Sequence, residues 1–412
     1  MPAWISLASV RGRAFLLIGA LAVLAVVGIV AIYRLNYEYL SLSTYGSPAS
    51  ANGQKVRSRF ESYLHRIHHQ VYKEDMQTFC SQETFSEGFI ASRRQRYEEI
   101  VHGGTGPVFI AINLYNSEKI LPSMAQQILA LADTLGHNRV FISVYENGSK
   151  DRTKDILNRF NTTLNALGIA HKIRSEAAPR PKHIHRIEYL ARVRNFALEP
   201  LYNSGTKYSK VLFLNDIFFC VADILELLFQ SRAQSAHLAC AEDFDMYNGG
   251  PGFYDTWVTR DMRGERFTKN MHKLTKDSIS MVAQMRDRPF QVQCCWNGAA
   301  LIDAQVFHGD NGLRFRRSVE GECSASECSL LCNDMWAKGF RRAIVVPRVK
   351  VSYDIQTRNT LRKPASFPAD MPYNMPEAEK ISFRSGPEKV ICLPLNGIDA
   401  HHPDAPSVYV KL

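Results

Sequence analysis

Residues 108–145 read VFIAINLYNSEKILPSMAQQILALADTLGHNRVFISVY, and this stretch decides the fold. It contains two β-rich apolar runs, at 108–112 and 139–145, with a helical pattern between them from about Glu118 to Leu135. A strand, a helix and a second strand in this order form a βαβ unit, whose strands lie parallel. The stretch therefore predicts an α/β domain with a largely parallel sheet.

The same alternation continues to residue 353. It predicts a single Rossmann-like α/β domain at 106–354 and an irregular, proline-rich extension at 355–412 that packs on it. A long loop is expected over 242–268. Further strands are expected at 169–173, 210–214, 237–241, 299–303 and within 341–353, and helices at 151–167, 184–202, 222–230 and 326–338.

The N-terminal region contains the run AFLLIGALAVLAVVGIVAI at 14–32, which carries no charge. This length is close to the ~20 residues that a helix needs to cross a bilayer. A cleaved signal peptide is the alternative, but its apolar core is usually ~7–15 residues long and ends at a small-residue cleavage site. Arg11 and Arg13 precede the run, so the positive-inside rule predicts a cytosolic tail at 1–13 and a luminal remainder. Residues 33–105 lack the alternation of strands and helices and predict a stem.

Composition excludes two classes of protein. With 45% hydrophobic and 22% charged residues over 412 positions, the chain is neither disordered nor a small disulfide scaffold. Its net charge of +10 suggests anionic partners, which include nucleic acid, lipid headgroups and sugar-nucleotide phosphates. The predicted luminal placement argues against nucleic acid.

The nine cysteines include no Cys-x-x-Cys motif and no Cys/His pair at zinc spacing, so a zinc module is not expected. An odd number leaves at least one thiol unpaired in an oxidising compartment. Cys323, Cys328 and Cys332 form the cluster most expected to contain disulfides. A Cys328–Cys332 bond within one helix has poor geometry, so Cys323 or a distant cysteine is the expected partner.

Polar residues follow several predicted strands, and ligands bind at the carboxyl ends of strands in such sheets. Glu146 and Asn147 begin a Gly-Ser turn and are candidates for contacts with a base or a ribose hydroxyl; a capped turn without a ligand is the alternative. Asn215 and Asp216 end the strand at 210–214. Their oxygens suit Mg²⁺ or Mn²⁺ bridged to a diphosphate, and a solvated loop is the alternative.

Acidic and basic residues on neighbouring elements add to these candidates. Asp243 and Asp245 follow the next strand, and two facing carboxylates repel unless a cation or a proton intervenes. Arg194, on the helix at 184–202, is expected to clamp a diphosphate; a solvated basic face is the alternative.

Two later segments carry the remaining candidates. Gly298 permits close backbone approach, and Trp296, next to Asn297, has a ring that can stack on a sugar; a buried Trp beside a turn is the alternative. Glu327 lies at a predicted helix start, where the helix dipole alone also favours an acid.

Seven sequence blocks between about Pro107 and Asp354 resemble the fungal cryptococcal-type α-1,3-mannosyltransferase family, which includes the capsule-associated proteins. The resemblance implies a GT-A-type glycosyltransferase fold, a single-pass type II Golgi anchor, a GDP-mannose donor, Mn²⁺ or Mg²⁺, a mannoside oligosaccharide or polysaccharide acceptor, and retention of configuration at mannose. The blocks are VFIAINLYNSEKILP, VFISVYENGSKDRT, IEYLARVRNFALEPL, KVLFLNDIFFCVADILELL, ACAEDFDMYNGGPGFYDTWVTRDMRGE, CCWNGAALIDA and ECSASECSLLCNDMWAKGF.

The resemblance also implies roles for individual residues. The strand tip reads Asn-Asp-Ile and not Asp-x-Asp, so Asp216, Asp243 and Asp245 compete as metal ligands. Glu327 aligns with the acid that inverting relatives use as a base, and here it is expected to orient the acceptor hydroxyl or stabilise the transition state. Asp243 and Asp245 are the other catalytic candidates. The donor-binding candidates are Asn113, Glu146, Asn147, Arg194, Asn215, Trp296, Asn297 and Gly298.

A different class of function remains open at this point. A catalytically silent luminal lectin, or a scaffold subunit in a homo- or hetero-oligomeric glycosyltransferase complex, would keep the same fold. Asn215 at the metal-binding tip is the feature that favours this alternative.

Overall fold

The computed structural model describes residues 50–73, 80, 96–309, 312–361, 380–397 and 406–412. The predicted cytosolic tail at 1–13, the predicted membrane span at 14–32 and the first part of the predicted stem lie outside the described residues. Within the described ranges, no helix has both the length and the apolar character needed to cross a bilayer.

A nine-stranded sheet forms the centre of the described chain. Its strands are β1 (Val108–Leu114), β2 (Val140–Glu146), β3 (His171–Ser175), β4 (Lys210–Leu214), β5 (Leu238–Tyr247), β6 (Gly250–Phe253), β7 (Phe290–Val292), β8 (Ala299–Asp303) and β9 (Ala343–Ser352). The order is β3-β2-β1-β4-β8-β5-β9-β7, with β6 paired to β5. Parallel pairs join β1 to β2 and β4, β2 to β3, and β5 to β9; the pairs that involve β6, β7 and β8 are antiparallel.

Helices cover both faces of this sheet, and β1 shows why. Its Ile110 and Ile112 belong to one buried cluster, whereas Phe109 and Ala111 belong to the other. Successive side chains of a strand point to opposite faces, so a strand buried on both sides is a continuous apolar run. The helices are α1 (Ala51–Tyr72), α2 (Leu121–Leu135), α3 (Thr153–Leu167), α4 (Arg186–Tyr202), α5 (Val221–Ala233), α6 (Ser278–Met285), α7 (Glu327–Ala337) and α8 (Ile355–Leu361).

The predicted α/β domain with a mostly parallel sheet is confirmed. The long loop predicted at 242–268, in contrast, is wrong over its first part. After a register shift between Cys240 and Glu242, β5 continues beside β9 to Phe244, and as far as Tyr247 it pairs with β6, in which the chain returns. The extra residues of this irregularity lie on β9, because Cys240 pairs with Val345 and Glu242 with Lys350, and no apolar pattern marks such a shift. Asp243 and Asp245 therefore lie within a strand.

Part of the segment predicted as a stem, at 33–105, forms α1. This helix packs on α2 and α3 and so belongs to the domain. Phe60, Leu64 and Ile67 of α1 are buried in the same cluster as the residues of those helices. The three residues have helical spacing, but the polar and histidine residues around them hide the amphipathic pattern in the sequence.

The described part of the predicted extension at 355–412 contains α8 and a hairpin of β10 (Lys389–Cys392) and β11 (Val408–Lys411). It contacts the domain through the Trp257 Nε1–H, which donates to the Leu393 carbonyl at 3.0 Å. Arg384 also pairs with Asp277 at 2.8 Å.

Four disulfides join distant elements, and all nine cysteines lie in described ranges. Cys328 is the free thiol and is buried, which supplies the unpaired cysteine that the odd number requires. Cys332 pairs with the distant Cys294, and Cys323, which precedes the helix, pairs with the distant Cys392. The bonds are Cys80–Cys220, Cys240–Cys295, Cys294–Cys332 and Cys323–Cys392.

Candidate functional site

The candidate site lies at the carboxyl ends of the parallel strands. Strand β8 runs against β4, so the residues that precede β8 lie beside those that follow β4. The Asn215 backbone N–H donates to the Gly298 carbonyl at 2.8 Å. Gly298 has a φ of +73°, and a Cβ there would lie 3.0 Å from the Ile217 side chain. This close approach requires glycine.

Asn215 is the centre of a hydrogen-bonded network. Its Oδ1 accepts from the Trp296 indole N–H at 3.2 Å, and its Nδ2 donates to the Tyr353 hydroxyl oxygen at 3.2 Å. The Tyr353 hydroxyl donates in turn to Asp243 Oδ2 at 3.0 Å. The other Asp243 oxygen accepts from the Asp255 backbone N–H at 3.2 Å. Strand tips β4, β5 and β9 are thereby connected through side chains.

Electrostatics distinguishes the acids of this network from ordinary surface acids. Asp243 is fully buried. Burial, together with the nearby Asp255 carboxylate, raises the pKa of Asp243 well above its usual range. Burial also raises the pKa of Asp255. Two carboxyl groups that disfavour each other's charge provide a place where a cation or a proton is stabilised.

Asp216 and Asp245 have different surroundings. Burial raises the pKa of Asp216 to about 6, although the Ser117 hydroxyl, which donates to Asp216 Oδ2 at 3.1 Å, opposes that shift. Burial and the neighbouring Asp354 raise the pKa of Asp245. Among the described residues, no three His, Cys, Asp or Glu side chains form a ready metal cluster, so the three predicted ligands are not brought together as one set.

Arg194 and Glu327 form a buried ion pair. Arg194 Nε donates to Glu327 Oε1 at 2.8 Å, and the two side chains are only 12% and 3% exposed. The guanidinium also lies over the ring of Trp296, 4.6 Å from its centroid, and over Phe213 and Phe315 at 5.1 and 5.7 Å. Trp296 is itself only 3% exposed, which agrees with the alternative that it is a buried Trp beside a turn. Its ring packs against the Arg194 guanidinium.

Residues at the carboxyl ends of β1 and β2 form a second polar group. Glu146 is buried, and its carboxylate accepts from the Ser149 backbone N–H, which is the capped turn that the sequence left as an alternative. Asn147 is half-buried, and its side chain forms a hydrogen bond with Tyr189. Burial raises the pKa of Tyr189, and this hydrogen bond partly opposes the rise. Asn113 Nδ2 donates to the Val193 carbonyl at 2.9 Å, whereas its buried Oδ1 has no hydrogen-bond partner among the described residues.

Asn297 has an internal role. Its Nδ2 donates to the Ala241 carbonyl at 2.7 Å, and its Oδ1 accepts from the Thr259 hydroxyl at 2.6 Å. Its backbone N–H donates to Asp255 Oδ2 at 3.2 Å. The predicted donor-binding residue Asn297 thus positions the segment that carries Asp255.

Sequence reasoning missed two residues of the network. Tyr353 comes directly after β9, so the rule that ligands meet the carboxyl ends of strands would have found it. Asp255 lies in the region predicted as a long loop, and no local pattern marks it.

Comparisons with known proteins bear on this arrangement. A family model described as cryptococcal mannosyltransferase 1 matches residues 107–334. The chain is 29% identical over 287 residues to alpha-1,3-mannosyltransferase CMT1 of Cryptococcus neoformans var. neoformans serotype D, a match that covers 64% of this chain. It spans 61% of the length of that relative.

The S. aureus TarS 1–349 structure has a TM-score of 0.35 and 13% identity, and covers 60% of each chain. The structure of the mannosyltransferase PcManGT from Pyrobaculum calidifontis, in complex with GDP-Man and Mn²⁺, has a TM-score of 0.38 and 12% identity, and covers 71% of this chain and 68% of its own. The family match covers more than half of the chain and confirms the resemblance carried by the seven sequence blocks. The chain belongs to the cryptococcal mannosyltransferase 1 family.

Proposed function

We propose that this protein is a retaining, GT-A-type mannosyltransferase that moves mannose from GDP-mannose to a hydroxyl of a mannoside, with an α-1,3 linkage. Family membership and the relative named as an alpha-1,3-mannosyltransferase support the reaction class. The observation that carries the proposal is the network of Asp243, Asp255 and Tyr353, which is joined at the carboxyl ends of the strands by Asn215, the residue before Asp216. Sugar nucleotides bind at such an edge in doubly wound sheets.

The transfer breaks the bond between mannose C1 and the diphosphate oxygen, which leaves with GDP. A bond forms between C1 and the acceptor oxygen on the same face of the sugar, and the departing diphosphate oxygen takes up the proton of the acceptor hydroxyl. Arg194 is suited to bind the departing diphosphate. Its Nε is held by Glu327, and no other hydrogen bond from this guanidinium is found within the described ranges. The outer nitrogens are therefore left for a phosphate oxygen.

Glu327 would then act as a positioning residue. It holds the Arg194 cation in place and balances its charge within an apolar wall, where an unpaired guanidinium would be costly to bury. This role needs no proton transfer by Glu327, in agreement with a retaining reaction, which requires no base at this position.

The acids of the site fit a divalent cation. Carboxylate oxygens are the ligands that Mg²⁺ and Mn²⁺ prefer, and the buried Asp243 carboxyl and the half-buried Asp255 carboxyl repel each other in the absence of positive charge. Asp216, with Asp243 or Asp245, would hold the ion. The chemistry that such an ion supplies is neutralisation of the charge that develops on the diphosphate.

Turnover of GDP-mannose onto α-mannosides by the full chain tests the proposal, with EDTA and with Mn²⁺ added back. Transfer that stops in EDTA and returns with Mn²⁺ is expected. Full activity in EDTA would remove the metal role, and activity with UDP-sugars alone would remove the donor. Asp216→Asn and Asp245→Asn distinguish the ligands, because only loss of a ligand raises the Mn²⁺ concentration that gives half-maximal rate.

The silent lectin or scaffold is tested by the same samples. A scaffold would show neither turnover nor stabilisation of the fold by GDP with Mn²⁺, whereas a ligand that binds only the folded protein raises its unfolding temperature.

We also propose that residues 14–32 anchor the protein in the Golgi membrane with the catalytic part in the lumen. Protection of the domain from added protease in sealed vesicles, and its loss on adding detergent, is the expected result.

A further inference from the structure

The hairpin formed by β5 and β6 projects from the edge that carries the network. Tyr247 pairs with Gly250 across a two-residue turn, in which Asn248 and Gly249 have φ values of +50° and +84°. Positive φ at both central residues matches the tight turns that suit the twist of a hairpin. The turn therefore fixes the register of the two strands.

The two faces of this hairpin differ in chemistry. Phe244 and Phe253 are cross-strand partners, and both are buried in the core. Successive side chains of a strand alternate between its two faces. Asp243, Asp245 and Tyr247 therefore lie on the second face of β5, opposite to Phe244. Tyr254 continues this face on the neighbouring strand, because its backbone N–H donates to the Asp243 carbonyl at 2.9 Å.

Glycines on β6 make room for Tyr247. Gly252 is the cross-strand partner of Asp245, and a Cβ there would lie only 2.7 Å from the Tyr247 Cβ, so the Tyr247 side chain packs over Gly252. A Cβ on Gly250 would meet nothing within 4 Å. Asp243 is fully buried, which leaves the half-buried Asp245 as the carboxylate at this surface. The face is thus a shallow trough with a tyrosine at each end, Asp245 on one strand and glycines on the other.

Both tyrosines are accessible. Tyr254 is 53% exposed and Tyr247 is 46% exposed. The Tyr254 ring lies 4.4 Å from the ring of Tyr353, whose hydroxyl donates to Asp243. One end of the trough is therefore continuous with the proposed reaction centre, and the other end lies near the hairpin turn.

We propose that this Tyr247–Tyr254 trough binds the acceptor glycan, with a sugar ring stacked on each tyrosine and hydroxyl groups donating to Asp245, which leaves Asp216 and Asp243 to hold the ion. The inference rests on the proposed transferase function and adds the part of the protein that recognises the acceptor. Flat aromatic rings and a few polar acceptors are the combination that binds a ligand with apolar ring faces and hydroxyl edges. The spacing of two tyrosines along one hairpin favours a chain of at least two sugars over a single residue.

The test uses the full chain, GDP-mannose and a linear α-linked mannotriose as acceptor. Tyr254→Ala and Tyr247→Ala are each expected to raise the acceptor KM about tenfold, which corresponds to the loss of one ring contact, while the KM for GDP-mannose stays within about twofold. Tyr254→Phe keeps the ring and is expected to stay close to the native acceptor KM. Gly252→Ala, which displaces Tyr247, is expected to behave like Tyr247→Ala.

Tyr409→Ala is the matched control. Tyr409 is 50% exposed and has the Lys389 ammonium 4.9 Å from its ring centroid, as Tyr247 has the Lys269 ammonium at 4.2 Å. Native kinetics are expected for this variant. Unfolding temperatures of all variants, measured without ligand, show that the fold is retained.

Direct titration of mannotriose without donor, followed by ligand-observed NMR, separates the two proposals. Binding that Tyr254→Ala weakens, in a protein that transfers no mannose, would keep the trough and remove the transferase function. Active transfer with an acceptor KM that neither alanine variant changes would remove the trough and keep the function. Absence of both transfer and binding in the native chain would remove both.

Discussion

Replacing Glu327 with glutamine is expected to lower the free energy of unfolding by about 3 kcal/mol. The substitution removes the charge that balances Arg194, yet keeps an oxygen that accepts from Nε. Breaking a buried ion pair by removing one partner costs about 3–5 kcal/mol. The lower end applies, because Phe213, Trp296 and Phe315 still surround the guanidinium and their ring faces attract a cation.

Urea unfolding without reductant, followed by circular dichroism, gives the free energy by linear extrapolation. Glu322→Gln is the matched control. Glu322 pairs with Arg316 at 2.6 Å, but the side chains are 36% and 31% exposed and Arg316 keeps a second partner in Asp334. Exposed pairs contribute about 0–1 kcal/mol, so this variant is expected to lose less than about 1 kcal/mol.

The double variant Glu327→Gln with Arg194→Met removes both charges and is expected to recover most of the lost stability. A loss for Glu327→Gln no larger than that for Glu322→Gln would refute the account of a buried, charge-balanced pair. If the double variant does not recover the free energy of unfolding, the glutamine destabilises the protein through packing and not by leaving Arg194 without a counter-charge.

Three further results are expected. Phe60→Ala should lower the free energy of unfolding in urea by about 3–5 kcal/mol, because Phe60 is 4% exposed and stacks on Phe160. An unchanged free energy of unfolding would show that α1 does not pack on the domain and would support the predicted stem. Ellman's reagent should find one thiol per chain in denaturant and almost none in the folded protein, because Cys328 is free and buried, and a second thiol would contradict the four disulfides. His237 should contribute a loss of unfolding free energy as the pH drops from ~6.5 to ~4, because burial and the Arg342 guanidinium lower the pKa of His237 to about 4 and the unfolded chain takes up the proton first. Asp216, whose pKa burial raises to about 6, contributes in the opposite direction, so the measurement is the difference in slope between the native chain and His237→Asn. Equal slopes for the two proteins would exclude the contribution of His237.

Most of the sheet was predictable because its strands are short apolar runs that are buried on both faces. The run at 210–214 and the strand at 299–303 match the structure residue for residue. Asn215 and Asp216 were predictable for a related reason, since polar residues directly after a buried strand lie at the edge where ligands bind.

The rest depends on contacts that leave no local pattern. Arg194 and Glu327 are 133 residues apart, and nothing in either segment shows that they pair. The register shift between β5 and β9 also has no signal in the sequence, and beyond it β5 continues through Asp243. The apolar residues of α1 are separated by charged and histidine side chains, so their burial follows only from the surfaces that α2 and α3 present to them.

Asn215, which replaces the first aspartate of an Asp-x-Asp motif, determines the direction of the hydrogen bonds around it. Its amide offers one acceptor to Trp296 and one donor to Tyr353, which leaves the Tyr353 hydroxyl hydrogen directed at Asp243. An aspartate has no donor, so it would compete with Asp243 for that hydrogen. The amide of Asn215 thus sets the direction of this chain of hydrogen bonds, and an aspartate at position 215 would disturb it.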